Sequence, residues 1–252
     1  MRLAIIANHS HSSGTRKNKH PSKLLSNFDI HIMGSLDAAF VVEPEHRLNL
    51  NSAEVAEGVP LIDLSLYSAQ TRENLRSEIC RACRDWGFFQ VINHGIPSNH
   101  RDRAMELAKW FFGQESAEKI KVRKNEVSPT GYHDGEHTRN VRDWKEVFDF
   151  FLQDPTVLPA SADFEDGEVM RLANRWPLNP PEFRDLLEEY AREFENLAFR
   201  LLELVYTSLG LPANRLNDYF KEQTSLIRLN YYPPCPQPEL TLGVSRHRTL
   251  SP

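Results

Sequence analysis

Arg228-Leu229-Asn230-Tyr231-Tyr232-Pro233-Pro234-Cys235-Pro236 is the stretch on which the fold turns. Leu226 to Tyr232 is apolar, aromatic and branched enough for a strand. Pro233 and Pro234 stop that strand, because proline has no N–H for a ladder and restricts the residue before it. Leu240-Thr241-Leu242-Gly243-Val244 resumes a strand-like pattern and carries the chain to His247. A strand, a proline corner, a second strand and a histidine at its end is how a β-barrel rim presents a ligand.

This run resembles the plant 2-oxoglutarate/Fe(II)-dependent dioxygenases, in which Asn-Tyr-Tyr-Pro-Pro-Cys-Pro leads shortly to a His-x-Asp metal motif. The resemblance implies an iron held by two histidines and one carboxylate, with positions left open for 2-oxoglutarate and oxygen. It implies that His247 is the first metal ligand, that Asn230 and Tyr232 face 2-oxoglutarate, and that Arg228 lies at the pocket floor. At the metal motif the chain departs from the pattern. It reads His247-Arg248-Thr249, and threonine cannot supply the carboxylate's charge. In the family, the second histidine and the arginine–x–serine that holds the far carboxylate of 2-oxoglutarate come well after the His-x-Asp motif; here Pro252 follows three residues after Thr249. A single dropped base in a His-Lys-Asp codon run gives His-Arg-Thr, so the tail after His247 is expected to come from a shifted reading frame.

A second run, Asp85-Trp86-Gly87-Phe88-Phe89-Gln90-Val91-Ile92-Asn93-His94-Gly95-Ile96, resembles the N-terminal domain that precedes the catalytic barrel in the same family. His94 in it is a turn histidine beside a glycine, of the kind that bonds local backbone. It is read as structural, not as a ligand.

Bulk properties exclude several classes. The chain has 252 residues, net charge −5 and an isoelectric point near 6.1, so no basic field argues for nucleic acid. No apolar run approaches the roughly 20 residues that span a bilayer. The three cysteines, Cys80, Cys83 and Cys235, are too few and odd in number for a disulfide framework. They fit a reducing compartment, and a cytoplasmic location is expected. Cys80-x-x-Cys83 has no second pair to complete a zinc site, and its thiols are expected to be buried and structural.

In chain order, residues 1–32 look like a disordered or artefactual extension, and 33–58 like a polar leader. Residues 59–153 form the N-terminal dioxygenase domain. Val59 to Ser65 is a strand, Thr71 to Trp86 an amphipathic helix on Leu75, Ile79, Cys83 and Trp86, and Phe88 to Asn93 a second strand. Ser98 caps a helix bearing Ala104, Met105, Ala108, Phe111 and Phe112 on one side. Lys119 to Lys124, with four basic residues in six, reads as a solvated helix end. Gly131 to His137 reads as a loop whose His133, Asp134, Glu136 and His137 could pose as a metal cluster, although no helix or strand fixes their geometry. Asp143 to Phe151 is an aromatic strand, and 154–181 a long surface connection.

Residues 182–252 carry the spine helix and the first strands of the oxygenase domain. Phe183, Leu187, Tyr190, Phe194, Leu197, Leu201 and Leu204 repeat in steps of four and three, a stripe of about 33 Å that Gly210 ends. A coiled coil fits the heptad, but Leu186, Phe199, Leu202 and Val205 widen the stripe into that of a core helix. Leu216, Tyr219 and Phe220 make a short helix after it.

The expected fold is thus α/β (α+β): an N-terminal dioxygenase domain and a long helix leading into an incomplete double-stranded β-helix. The expected function is that of a 2-oxoglutarate- and Fe(II)-dependent oxygenase acting on a small plant metabolite or hormone. No catalytic residue is assigned, and the chain as it stands is expected to be inactive for want of iron ligands. The alternative is a non-enzymatic binding or regulatory fragment that pairs with an intact paralogue through its uncovered apolar face.

Overall fold

A computed structural model describes residues 36–47, 58–68, 72–138, 141–160, 167–215, 218–220 and 223–244. The chain divides into two compact units. Of the described residues, the first holds those within 58–102 and 189–223, and the second those within 36–47, 103–188 and 224–244.

The first unit is built on the two parallel strands β1 (Leu61–Asp63) and β2 (Gln90–Ile92), paired Leu61 to Gln90 through Asp63 to Ile92. The helix α1 (Arg72–Asp85) supplies Leu75, Ile79 and Ala82 to the core. The long helix α4 (Glu182–Ser208) supplies Leu197, Leu201 and Leu204. Ile62 and Leu64 complete this cluster. The four-then-three spacing is thus obeyed on both helices, but on α1 the stripe turns at Ala82. Cys83 and Trp86 are exposed and Cys80 is half-buried, so the thiols are free without being core residues. Gly87 ends α1 at a φ of +74°, which glycine adopts without steric cost.

At the end of β2, Asn93 takes a left-handed φ of +53° and donates from its amide to Asp63 Oδ1 at 2.8 Å. His94 Nδ1 accepts from the Ile96 N–H at 3.1 Å, and its carbonyl accepts from Arg200. That is the turn role read from the sequence. On α4, His100 of the helix α2 (Ser98–Phe112) meets Glu193 at 2.8 Å. Gly210, at φ +75°, closes α4. A single 3-10 turn, Asp218–Phe220, stands where a short helix was expected.

The second unit is organised by a three-stranded antiparallel sheet in the order β3 (Gly131–His133), β6 (Glu146–Phe151), β9 (Leu226–Tyr231). The central strand β6 is buried along its whole length. Its register with β9 sets Asp149 opposite Arg228, Val147 opposite Asn230 and Glu146 opposite Tyr231. β3 sets Gly131 opposite Asp149 and His133 opposite Val147. Because directly opposed residues share a face, the sheet has two distinct sides. One carries Tyr132, Glu146, Phe148, Phe150, Leu229 and Tyr231. The other carries His133, Val147, Asp149, Phe151, Leu226, Arg228 and Asn230.

The first side is the core. Phe148 lies 4.8 Å from Phe111 and 5.6 Å from Phe183 between ring centroids, and Phe112 stacks on Tyr231 at 5.2 Å. Trp176 closes the cluster against Phe150 at 4.8 Å. Such offset and edge-to-face pairs add to the area they bury. Of the apolar residues read onto one side of α2, Ala104, Phe111 and Phe112 are buried, whereas Met105 is exposed.

Several expectations are corrected here. Lys119, read as part of a solvated basic end, is 4% exposed. The five-residue helix α3 (Ser116–Ile120) turns it inward to Glu146 and leaves Ile120 outside. Lys121, Arg123 and Lys124 are exposed as expected. Gly131 to His137 is not a plain loop. Gly131–His133 is a strand, and the two-residue strands β4 (His137–Thr138) and β5 (Val141–Arg142) pair beside it. Gly131 makes this fit: its φ is +103°, and a Cβ there would come within 2.2 Å of the Val122 carbonyl. Residues 154–181 contain a hairpin of β7 (Thr156–Pro159) and β8 (Val169–Leu172). Last, Leu240 to Val244 does not form a strand. Prolines at 236 and 238 and Gly243 break the ladder pattern. The segment instead lends backbone carbonyls one at a time, Leu240 to the Val42 N–H and Leu242 to the Trp144 N–H.

Candidate functional site: the polar face of the three-stranded sheet

The second side of the sheet concentrates charge where the first concentrates rings. Arg228 donates from Nε and Nη2 to the two oxygens of Asp149, both at 2.8 Å, and from Nη1 to Glu136 at 2.5 Å. This is the fork-on-carboxylate geometry that makes arginine–carboxylate pairs strong. Glu136 also meets Lys145 at 2.6 Å, and Lys145 meets Asp143 at 3.1 Å. His133 Nε2 lies 3.2 Å from Asp149 Oδ2. Its Nδ1 is buried with no hydrogen-bond partner.

Electrostatics follow from the packing. Burial pushes the Asp149 carboxyl up, but the hydrogen bonds from His133 and Arg228, with the charge beside it, outweigh burial and hold it below the usual carboxylate range. Glu136 behaves in the same way through Lys145 and Arg228. Burial lowers Lys145, while Glu136 and Asp143 more than reverse that and raise it. These groups are charged at neutral pH and hold one another in place.

Beyond Arg228 the same face opens. Asn230 is exposed, and Tyr232 is 47% exposed. The ring of Tyr232 lies over Gly243, where a Cβ would come within 2.8 Å of it. Gly243 is thus the residue that lets the returning chain run under this ring. Trp144 fixes the proline corner, its Nε1 donating to the Pro233 carbonyl at 3.0 Å. Phe40 packs edge-on against Trp144 at 4.9 Å, and Cys235 meets the buried Thr241 hydroxyl at 3.1 Å.

Of the four site residues named from sequence, the structure therefore places Arg228, Asn230 and Tyr232 along one strand and its exit, with Arg228 and Asn230 on the polar face. His247 lies outside the described residues. The loop cluster does not converge on a metal. His133 turns to Asp149, Glu136 to Arg228 and Lys145, Asp134 to Arg123 and Arg142, and the exposed His137 to the Gly135 carbonyl at 2.8 Å. Among the described residues no group of three or more His, Cys, Asp and Glu is placed to hold a metal ion. The iron of the family therefore finds no ligand set among them, whereas the exposed amide and phenol of Asn230 and Tyr232 fit an organic acid's hydrogen-bonding needs. Sequence reasoning missed Asp149 and Lys145. The available signal was the lone carboxylate in Val147-Phe148-Asp149-Phe150, because a charge inside an aromatic strand needs a partner.

Comparison with known proteins identifies the class. Residues 59–179 match the model of the non-haem dioxygenase in morphine synthesis N-terminal family. The chain is 32% identical over 204 residues to Protein DOWNY MILDEW RESISTANCE 6 of Arabidopsis thaliana, covering 80% of this chain and 55% of that one. It is 31% identical over 210 residues to the naringenin,2-oxoglutarate 3-dioxygenase of Callistephus chinensis, covering 82% and 55%. It is 36% identical over 211 residues to Jasmonate-induced oxygenase 1 of Arabidopsis thaliana, covering 81% and 49%. Among solved structures, that of JOX2 in complex with 2OG, Fe, and JA aligns with a TM-score of 0.65 at 28% identity, over 84% of this chain and 56% of that one. The chain belongs to the 2-oxoglutarate/Fe(II)-dependent dioxygenase family, with its N-terminal domain and its mixed helix-and-sheet fold leading into the jelly-roll. It spans about half the length of the curated relatives it matches.

Proposed function

We propose that these residues supply the N-terminal domain and the first wall of the reaction chamber of an oxygenase that oxidises a small organic molecule. Iron and 2-oxoglutarate are its cofactors, and together they supply the oxidising power. The observation that carries this reading is the division of the sheet. Arg228 and Asn230 share a face with Asp149 and His133, while the rings of Tyr132, Phe148, Phe150 and Tyr231 turn to the other side. A sheet buried by helices on one side and lined with ordered charge on the other is a chamber wall. On that wall Asn230 and Tyr232 offer hydrogen bonds to 2-oxoglutarate, Arg228 lies at the floor, and His247 brings one imidazole to the metal.

The 252 residues by themselves form no iron centre in this reading. Thr249 stands where the family has the metal's carboxylate, and one histidine does not retain a ferrous ion against water. The polypeptide produces no succinate from 2-oxoglutarate and Fe(II). Continuing the chain after Val244 with the C-terminal half of Jasmonate-induced oxygenase 1 restores succinate formation. Succinate from the 252-residue polypeptide refutes the inactivity. A folded chimera that makes none refutes the placement of the wall.

A further inference from the structure

We propose that the part of this wall formed by Arg228 and its carboxylates, as distinct from the end at Asn230 and Tyr232 that meets 2-oxoglutarate, selects an uncharged substrate carrying hydroxyl groups and rejects one carrying a carboxylate. The inference rests on the wall reading above and names the class of molecule that the wall takes.

Arg228 is the basic side chain of β9. A guanidinium on a chamber wall is the natural anchor for a ligand carboxylate, because its planar fork matches two oxygens. Here the fork is already filled: both Asp149 oxygens and one Glu136 oxygen accept from its three nitrogens, each within 2.8 Å. A ligand carboxylate at this place has to displace a protein carboxylate that is itself 4% exposed, or sit against it unpaired. The neighbouring cations are engaged as well: Lys145 holds Glu136 and Asp143, while Arg123 and Arg142 hold Asp134. Arg228 and Lys145 already face the carboxylates of Asp149, Glu136 and Asp143, and neither is left to answer a further one.

Asp149 is ionised and can only accept, from Arg228 and from His133 Nε2. Glu136, more exposed than Asp149, is the carboxylate of the cluster that a ligand meets first, and it offers acceptor lone pairs. A hydroxyl group donates to such a surface, whereas a carboxylate has nothing to donate and is repelled by it.

Arginine-detected NMR on the 252-residue chain tests this, with sodium benzoate as the probe and the Arg228 Nε–H signal as the readout. The wild-type signal does not move with benzoate. In Asp149→Asn it titrates, with binding tightened by at least about tenfold relative to wild type. Glu136→Gln, which removes one of the two carboxylates on Arg228 at a side chain 27% exposed and leaves the buried pair intact, gives a smaller gain and stands in if Asp149→Asn does not fold. A wild-type signal that titrates as readily as the variants' overturns the selectivity and leaves the wall in place. A signal silent in wild type and in both variants shows that Arg228 cannot be reached by a ligand, and overturns the wall reading itself.

Discussion

Replacing Lys119 by methionine removes a charge from the middle of the second unit without removing its stem. Lys119 Nζ lies 2.6 Å from Glu146 Oε2, and the two side chains are 4% and 5% exposed. The ammonium also donates to the Phe112 carbonyl at 3.2 Å and sits 5.5 Å above the Tyr132 ring. Its loss leaves the Glu146 carboxylate among aromatic rings with the Tyr132 hydroxyl as support. Breaking one side of a buried pair costs about 3–5 kcal/mol, and Tyr132 puts Lys119→Met near the lower end. With a urea slope of about 2 kcal/mol per M, the midpoint falls by about 1.5 M or more. The double variant Lys119→Met/Glu146→Leu behaves differently. Two apolar side chains fill the same volume with no charge left to solvate, so stability returns to within about 1 kcal/mol of wild type or exceeds it. Urea unfolding followed by tryptophan fluorescence reads both, since Trp110, Trp144 and Trp176 belong to the same unit. A single variant costing less than about 1 kcal/mol, or a double variant whose cost is the sum of the two singles, refutes the picture of a buried, mutually dependent pair.

Three further outcomes are expected. Gly243→Ala forces a Cβ to within 2.8 Å of the Tyr232 ring. The ring swings off its place, which shows as a large change in the Tyr232 ring signals with a stability loss of about 1–3 kcal/mol, while unchanged ring shifts contradict the contact. Gly131→Ala meets the Val122 carbonyl at a φ that alanine rarely adopts, so it destabilises more than Gly243→Ala does, and equal stability to wild type speaks against the β3 backbone geometry. The pH dependence has a definite sign. The native Asp149 carboxyl is held below its ordinary range, so its contribution is complete above about pH 4 and is lost as pH falls through the native value. The stability gap between wild type and Asp149→Asn therefore narrows below pH 4, and a gap that stays constant from pH 4 to pH 2 counts against the Arg228 pairing.

Much of the scaffold was legible in the chain. The four-and-three stripe from Phe183 to Leu204 is a helix because that spacing keeps apolar side chains on one side, and Glu182–Ser208 is helical. Leu226–Tyr231 is a strand that stops at the prolines. The turn at His94 bonds its own backbone. Less legible were segments whose state depends on what lies beside them. Leu240–Val244 has strand-like residues but no partner strand among the described residues. Val169–Leu172 looks like surface chain, yet it pairs with Thr156–Pro159 because a hairpin needs only a complementary neighbour.

The sequence by itself determined the local vocabulary of this protein: where helices begin and end, which strand the proline corner closes, and which residue types stand in the dioxygenase pattern. Periodicity and backbone restriction act over a few residues, so they can be read without the fold. The tertiary structure alone decided which charges are partners. Arg228 lies 79 positions from Asp149 and 92 from Glu136, and Lys119 lies 27 from Glu146. No local pattern links such residues. Strand register and one turn of a short helix bring them together, and the buried ones, Asp149, Lys119 and Glu146, are held by their partners because water no longer reaches them to compensate.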